Sequence, residues 1–513
     1  MKRRFDMVNT IFKGKSAFSL LVLAVSGLVG AVESPRIVAH RGNFQYDDNA
    51  LGGFLQSLDA GVTGFETDVQ MTSDGWSGQR YFTNDVPWSI DSVLEGTEGL
   101  GKWGEGDLTL SAKSSFTGDV TLNDGTILLT TPGNDVLNTE VGALGNPRVA
   151  RTVVVSNATL RMVGQNSFGG SGRSWTPIRT VLKFVNSTLD LTTNWAFNAG
   201  DVYLHDSQVK FHGGLSHWGR YDQVSGLNGP AFWGAFYANN LYFSGTKAVT
   251  FENEVGNLSD AEYRKAGLSV GKFASDGTVR MDYQAVIDVP DMTGNANSDV
   301  ILKVPLVWTQ GDNSPNSGFR KTGAGTLEFG TRDDNSTAKW SNYTGNVDVV
   351  EGTLKMSANY ASIEYDRPSS FGAARYPHTI TVHPDATLNL AASDLMGQFY
   401  ATNALTLVVK GSLTQNDGTV NGLCRTIFDD ATVSFGDAPG QFTFWFKPDA
   451  PCAVTNSYVG QWPTVGFNGG VTFTGTKAYD LSNKNATYYW GRMAARSRQN
   501  SIWTTSPRTA RQI

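Results

Sequence analysis

Cysteine is nearly missing from this chain: Cys424 and Cys452 are the only two in 513 residues. Two thiols make no disulfide framework, and their spacing is not that of a zinc site. A single staple and two free thiols both fit. Charge is scarce as well. Asp, Glu, Lys and Arg make up 17% of the chain, with a net charge of −6. That balance offers nucleic acid no basic surface. Beyond residue 31 no apolar run is long enough for a bilayer, which needs about 20 residues. Amphipathic helical periodicity is confined to one short stretch, residues 36–75.

Glycine, by contrast, is abundant at 57 residues, in company with many Asn, Thr and Ser. From about residue 95 this composition resolves into short alternating strands separated by Gly, Asn and Asp turns. The N-terminus differs. Lys2, Arg3, Arg4, Lys13 and Lys15 precede an apolar stretch from Ala17 to Ala31, which closes on Val29-Gly30-Ala31. A basic start, a short apolar core and small residues at the end predict a signal peptide over 1–31. The mature chain is then secreted or held at the outer cell surface, with no membrane span after signal removal.

Two passages echo each other. Lys102-Trp103-Gly104-Glu105-Gly106-Asp107-Leu108 leads to Phe116-Thr117-Gly118-Asp119-Val120 and Gly125-Thr126-Ile127. Lys321-Thr322-Gly323-Ala324-Gly325-Thr326-Leu327 leads to Tyr343-Thr344-Gly345-Asn346-Val347 and Gly352-Thr353-Leu354. Three further echoes follow in the same order: Asn157–Leu160 with Asp385–Leu388, Asp206–Val209 with Asp430–Val433, and Phe243–Ala248 with Phe473–Ala478. Offsets of roughly 220–230 residues predict a tandem duplication. Within each unit, strand pieces recur every 20–30 residues or so, the length of one solenoid rung. The expected fold is therefore mainly β, a right-handed parallel β-solenoid. Unit 1 spans 95–310, an incomplete unit 2 spans 311–483, and an Arg-rich tail over 490–513 stays outside it.

The Lys-x-Gly-x-Gly-x-Leu passage, with its aromatic-Thr-Gly corner and final Gly-Thr-Leu or Gly-Thr-Ile, resembles the autotransporter-associated β-strand repeat. That resemblance implies an exported passenger built as a parallel β-helix, with adhesive roles and no catalytic residues. Its partners would be surface glycans or other cell-surface components.

Residues 36–75 carry the one constellation with chemistry in it. Ile37-Val38-Ala39 ends in His40-Arg41-Gly42. A helical stripe of Leu51, Phe54, Leu55 and Leu58 follows, and then Gly64-Phe65-Glu66-Thr67-Asp68-Val69. Strand, helix, strand is a βαβ unit of β/α (TIM) barrel type, and its polar groups lie at the strand ends, where such barrels do chemistry. Glu66 and Asp68, two apart, leave one face of a strand and suit a hard cation. A nearby His can move a proton and an Arg can hold a phosphate oxygen.

This segment resembles the glycerophosphodiester phosphodiesterase family through Ala39-His40-Arg41-Gly42, Asn49, Leu51, Phe54, Ala60-Gly61, Gly64, Glu66, Asp68-Val69, Thr72 and Asp74-Gly75. The resemblance implies acid/base catalysis by His40, phosphate contact by Arg41, and Ca²⁺ or Mg²⁺ held by Glu66 and Asp68. Where that family has a second catalytic His, in a His-Asp pair, this chain has Asn84-Asp85. Asparagine cannot shuttle a proton, and two strands cannot close a barrel of eight. The expectation is an inert fragment capping the first rung of an exported solenoid. The alternative is a secreted, metal-dependent glycerophosphodiester hydrolase that uses the solenoid as an attachment module. A polysaccharide-active β-helix, which needs a cluster of acidic or basic residues along one solenoid face, is a third reading. His212, His217 and Trp218 share a Gly-rich loop read as solvated, with a sugar-contacting or metal-binding loop as the alternative.

Overall fold

The computed structural model describes residues 38–40, 64–66 and 80–474, the last with interruptions of which 212–235 and 358–376 are the longest. The signal segment 1–31, the helix expected after His40, the His212–Trp218 loop and the tail over 490–513 lie outside the described residues. Two compact units are present. One comprises residues 1–77 with 94–96, the other 78–93 with 97–513. In the first, Val38–His40 and Gly64–Glu66 pair in parallel, with His40 opposite Glu66 in register.

The second unit is an all-parallel β-solenoid. Among its described residues every regular element is a strand. Each coil contributes one strand to a first ladder and turns a corner, and among the described residues every coil but the last contributes a second strand to another ladder of 14 strands. We number the coils by their first strand. Coils 1 to 5 begin at Arg80–Thr83, Leu100–Trp103, Val120–Asn123, Thr152–Ser156 and Val181–Val185. Coils 6 to 10 begin at Asp201–His205, Asn240–Ser244, Ala285–Asp288, Phe319–Thr322 and Val347–Val349. Coils 11 to 15 begin at His378–Val382, Leu405–Val409, Val420–Asp429, Cys452–Thr455 and Val471–Thr474.

The ladder thus starts at Arg80, ahead of the strand texture expected from residue 95. No register pair joins its first strand to its last. The pairing branches at Val420–Asp429, which also meets Thr443–Phe446, so the set stays open instead of closing into a barrel. The connections are the crossovers between parallel strands that are almost always right-handed. Pairing also runs unbroken past residue 310, with Ile287 opposite Lys321 and Leu302 opposite Phe329.

Coil length varies because the return loops vary. Leu100 pairs with Val120 one coil later, while Leu241 pairs with Ile287, more than twice as far along the chain. The longer coils carry a third short ladder, Phe197–Asn198, Phe236–Ala238 and Leu268–Val270. Alternation decides what goes inside. His378–Val382 and Leu405–Val409 bury every second side chain and leave Thr379, Thr381, Thr406 and Val408 only half-buried. The interior columns, such as Leu122, Val155, Phe184, Leu204 and Phe243, are fully or almost fully buried. Each such aliphatic or aromatic side chain contributes about 1.5–3 kcal/mol by leaving water.

The corners explain the Asn and Asp content. Asp124, Asn157, Asn186, Asp206 and Asp430 all sit at positive φ, between 46° and 61°. Among residues with a side chain, Asn and Asp adopt that region most readily. The turn keeps the ladder going. Asn157 N–H donates to Val185 O at 2.9 Å and Asn186 N–H to His205 O at 2.9 Å. Just inside, the buried Ser187 hydroxyl accepts from Ala158 N–H at 3.2 Å, and Ser207 Oγ accepts from Ser187 N–H at 3.0 Å. These corner amides are thereby paired with the next coil, as buried backbone requires.

Candidate functional site

Of the residues that sequence reasoning put in a catalytic centre, His40 and Glu66 lie on the paired strands and face each other in backbone register. Arg41 and Asp68 lie outside the described residues. Asn84, which stands where the phosphodiesterase family has its second histidine, belongs to the solenoid. It is 3% exposed in the first corner. Its amide donates to Val86 O and to Asp107 O of the next coil, both at 3.0 Å. It is a structural peg. Among the described residues no group of three or more His, Cys, Asp or Glu side chains could hold a metal ion. Cys424 and Cys452 fall on the neighbouring strands Val420–Asp429 and Cys452–Thr455.

The densest polar geometry lies instead at the two echoed passages. Strand alternation from Leu100 and from Phe319 turns Lys102 and Lys321 inward, and both are fully buried. Lys102 Nζ donates to Gly104 O, to Asp124 O at 2.7 Å and to Asn123 O at 3.3 Å. Lys321 Nζ donates to Gly323 O, to Gly325 O at 2.6 Å and to Glu351 O at 2.9 Å. Each ammonium therefore joins its own corner to the corner of the following coil. Burial pushes Lys321 down to about 8, against the pull of Glu351, Asp288 and Asp299. Lys102 is lowered by burial too, with Asp124, Asp107 and Asp85 opposing.

The glycines of the motif are there for clearance. A Cβ on Gly106 would lie 2.4 Å from Val86 O, and one on Gly325 would lie 2.2 Å from Pro290 O. Backbone at that distance cannot yield, so only glycine lets the preceding coil approach. The aromatic-Thr-Gly corner supplies the next element. Asp119 Oδ1 accepts from Thr152 N–H at 2.7 Å, and Asn346 Oδ1 accepts from Thr379 N–H at 2.8 Å. In both copies the residue after the glycine caps the first strand of the coil that follows. In the first copy a buried guanidinium is added. Arg151 stands 5.1 Å over the Phe116 ring and donates to Gly118 O and Leu144 O. Its own pKa falls to about 10 through burial, opposed by Asp119.

Residues 100–129 and 319–356 match the passenger-associated-transport-repeat family. Over those two stretches the β-solenoid is similar to autotransporter passengers. No curated protein and no solved structure matches it, and no match to a phosphodiesterase family accompanies the repeats. The solenoid's two repeat-bearing stretches are coils 2–3 and 9–10, so their motif residues are now explained as inter-coil joints.

The outward faces carry ladders. On the second sheet Arg161, Asp190, Lys210 and Glu252 are successive register partners. Arg161 Nε meets Asp190 at 2.8 Å, and Lys303 Nζ meets Glu252 at 3.1 Å. On the first sheet Tyr203 and Tyr242 stack at 4.6 Å, with the Lys183 ammonium 5.7 Å over Tyr203. With Lys183 on one face of Tyr203 and Tyr242 on the other, the stack ties three coils together. Nearby, His205 Nδ1 meets Ser244 Oγ at 3.1 Å, but its Nε2 stands 4.0 Å from Asp206 Oδ2. Asp206 instead spends its other oxygen on Thr246 and Lys247 amides, which depress its pKa. A nucleophile needs a base that is itself oriented by a hydrogen bond, and that second bond is not made.

Proposed function

We propose that this protein is an exported, surface-displayed solenoid whose role is structural or adhesive, with surface glycans or other cell-surface components as partners. The observation that carries this reading is the placement of two passenger repeats as joints within one continuous parallel ladder. A chain built this way presents long, regular, polar faces and spends its buried polar groups on coil stacking, not on a reaction centre. In intact cells expressing the full chain, an antibody against coils 9–10 should label the surface or detect released protein. Antigen confined to lysed cells would contradict the reading.

Within that reading, residues 36–75 are a phosphodiesterase-like remnant without activity. A second reading, a metal-dependent glycerophosphodiester phosphodiesterase, is favoured by one observation, the parallel pair that sets His40 opposite Glu66. With Ca²⁺ or Mg²⁺ bound, Glu66 and Asp68 would hold the cation, Arg41 the phosphate, and His40 would move the proton. The expected result is no hydrolysis of glycerophosphocholine by purified protein with either cation. Turnover that disappears in both His40→Ala and Glu66→Ala would establish the second reading instead.

A further inference from the structure

Stacked coils hold register only if their corners match in length, and several do not. Counted between inward residues that are register partners from coil to coil, coil 2 takes six positions, Lys102 to Leu108, whereas coil 3 takes five, Leu122 to Ile127. Coil 9 takes six, Lys321 to Leu327, and coil 10 five, Val349 to Leu354. A longer corner stacked on a shorter one puts the carbonyls of the two corners out of step: Thr353 N–H of coil 10 still reaches Gly325 O at 3.1 Å, while Gly104 O, Gly323 O, Asn123 O, Asp124 O and Glu351 O turn to a lysine. Buried carbonyls need donors. At both of these steps, and in both copies of the repeat, the donor is a buried lysine ammonium with three hydrogens to give.

Steps elsewhere follow the same chemistry with other means. From coil 6 to coil 7 the corner widens from five positions, Leu204 to Val209, to eight, Phe243 to Phe251. Widening leaves amides over, not carbonyls. There the plug is an acceptor, the Asp206 carboxylate, which takes Thr246 N–H at 2.7 Å and Lys247 N–H at 2.9 Å. From coil 11 to coil 12 the corner narrows from six, Val382 to Leu388, to four, Val409 to Leu413. That longer corner closes on itself, Ala386 N–H donating to His383 O at 3.0 Å, and needs no lysine.

We propose that Lys102 and Lys321 are register pins: each holds a six-position corner on a five-position one by donating to carbonyls of both corners at the step. They are positioning residues and take no part in any reaction. This assigns a task to the lysine of the repeat that is independent of what the solenoid binds.

The step can be removed without touching the lysine. One glycine inserted between Glu351 and Gly352 gives coil 10 six positions, equal to coil 9 and to coil 11. Four full-length proteins are compared: wild type, Lys321→Met, the insertion, and the insertion with Lys321→Met. Thermal unfolding and amide exchange over 319–356 are read in each. In the natural background Lys321→Met should lower the unfolding midpoint and speed exchange in that window at least tenfold. The insertion alone should fold, and in its background Lys321→Met should change exchange less than twofold. An equal effect in both backgrounds would make the lysine ordinary core packing and overturn the proposal. So would a silent Lys321→Met in the natural chain, or an insertion variant that fails to fold.

Discussion

A lysine in a strand is commonly read as a solvated residue, and Lys102 and Lys321 show how that habit misleads. The signal was present in the sequence. Period-two alternation counted from Leu100 or Phe319 puts both lysines on the buried face. What the sequence could not supply was the acceptor set, since Asn123, Asp124 and Glu351 lie a full coil further on. The titration of Lys321 follows from its site. Its folded pKa is near 8 and below the ordinary 10.5, so between those values the unfolded chain holds more protons than the folded one. Stability from this site therefore rises with pH across that window and is level below it. Wild type should gain on Lys321→Met in thermal denaturation as pH goes from 7.5 to 9.5. A constant difference would contradict the assignment. His40 and Glu66 were legible as a motif because their chemistry is local. Asn84 was legible as a departure from that motif, and its corner role was hidden because its partner, Asp107 O, belongs to the next coil.

At the scale of elements, strands and corners were the most readable part of the fold. Alternating residues mark strands such as Ala386–Leu390, and Asn or Asp marks the left-handed corner. Strand pairing was less readable, because register partners are separated by loops of unequal length. The alternating charge row is an example. Arg161, Asp190, Lys210, Glu252 and Lys303 are scattered over more than a hundred residues, yet they fall in one line across successive coils. Opposite charges directly across a ladder stabilise it, and like charges destabilise it. Asp190 is 4% exposed, so screening there is weaker than at the surface. Asp190→Lys would set three cations in a row over a partly buried site. It should cost about 1–3 kcal/mol in urea unfolding, and Asp190→Asn should cost less. Equal costs would mean that the row's alternation of sign is incidental.

For the molecule as a whole, the echoed passages keep coil number better than they keep residue number. The lysine motifs are seven coils apart, as are Asn157–Leu160 and Asp385–Leu388, and Asp206–Val209 and Asp430–Val433. Phe243 and Phe473 are eight coils apart. The echoes thus keep a spacing of seven coils, with one coil more before the last. The account stands or falls on the single ladder. Thr126, Ile301 and Thr414 lie in one outward column, in coils 3, 8 and 12. With Cys424 and Cys452 replaced by serine, spin labels at Thr126 and Ile301 should be about 24 Å apart, and at Thr126 and Thr414 about 43 Å, at roughly 4.8 Å per coil. Distances in that proportion are what one uninterrupted parallel solenoid predicts. A Thr126–Thr414 distance equal to or shorter than the Thr126–Ile301 distance would contradict it.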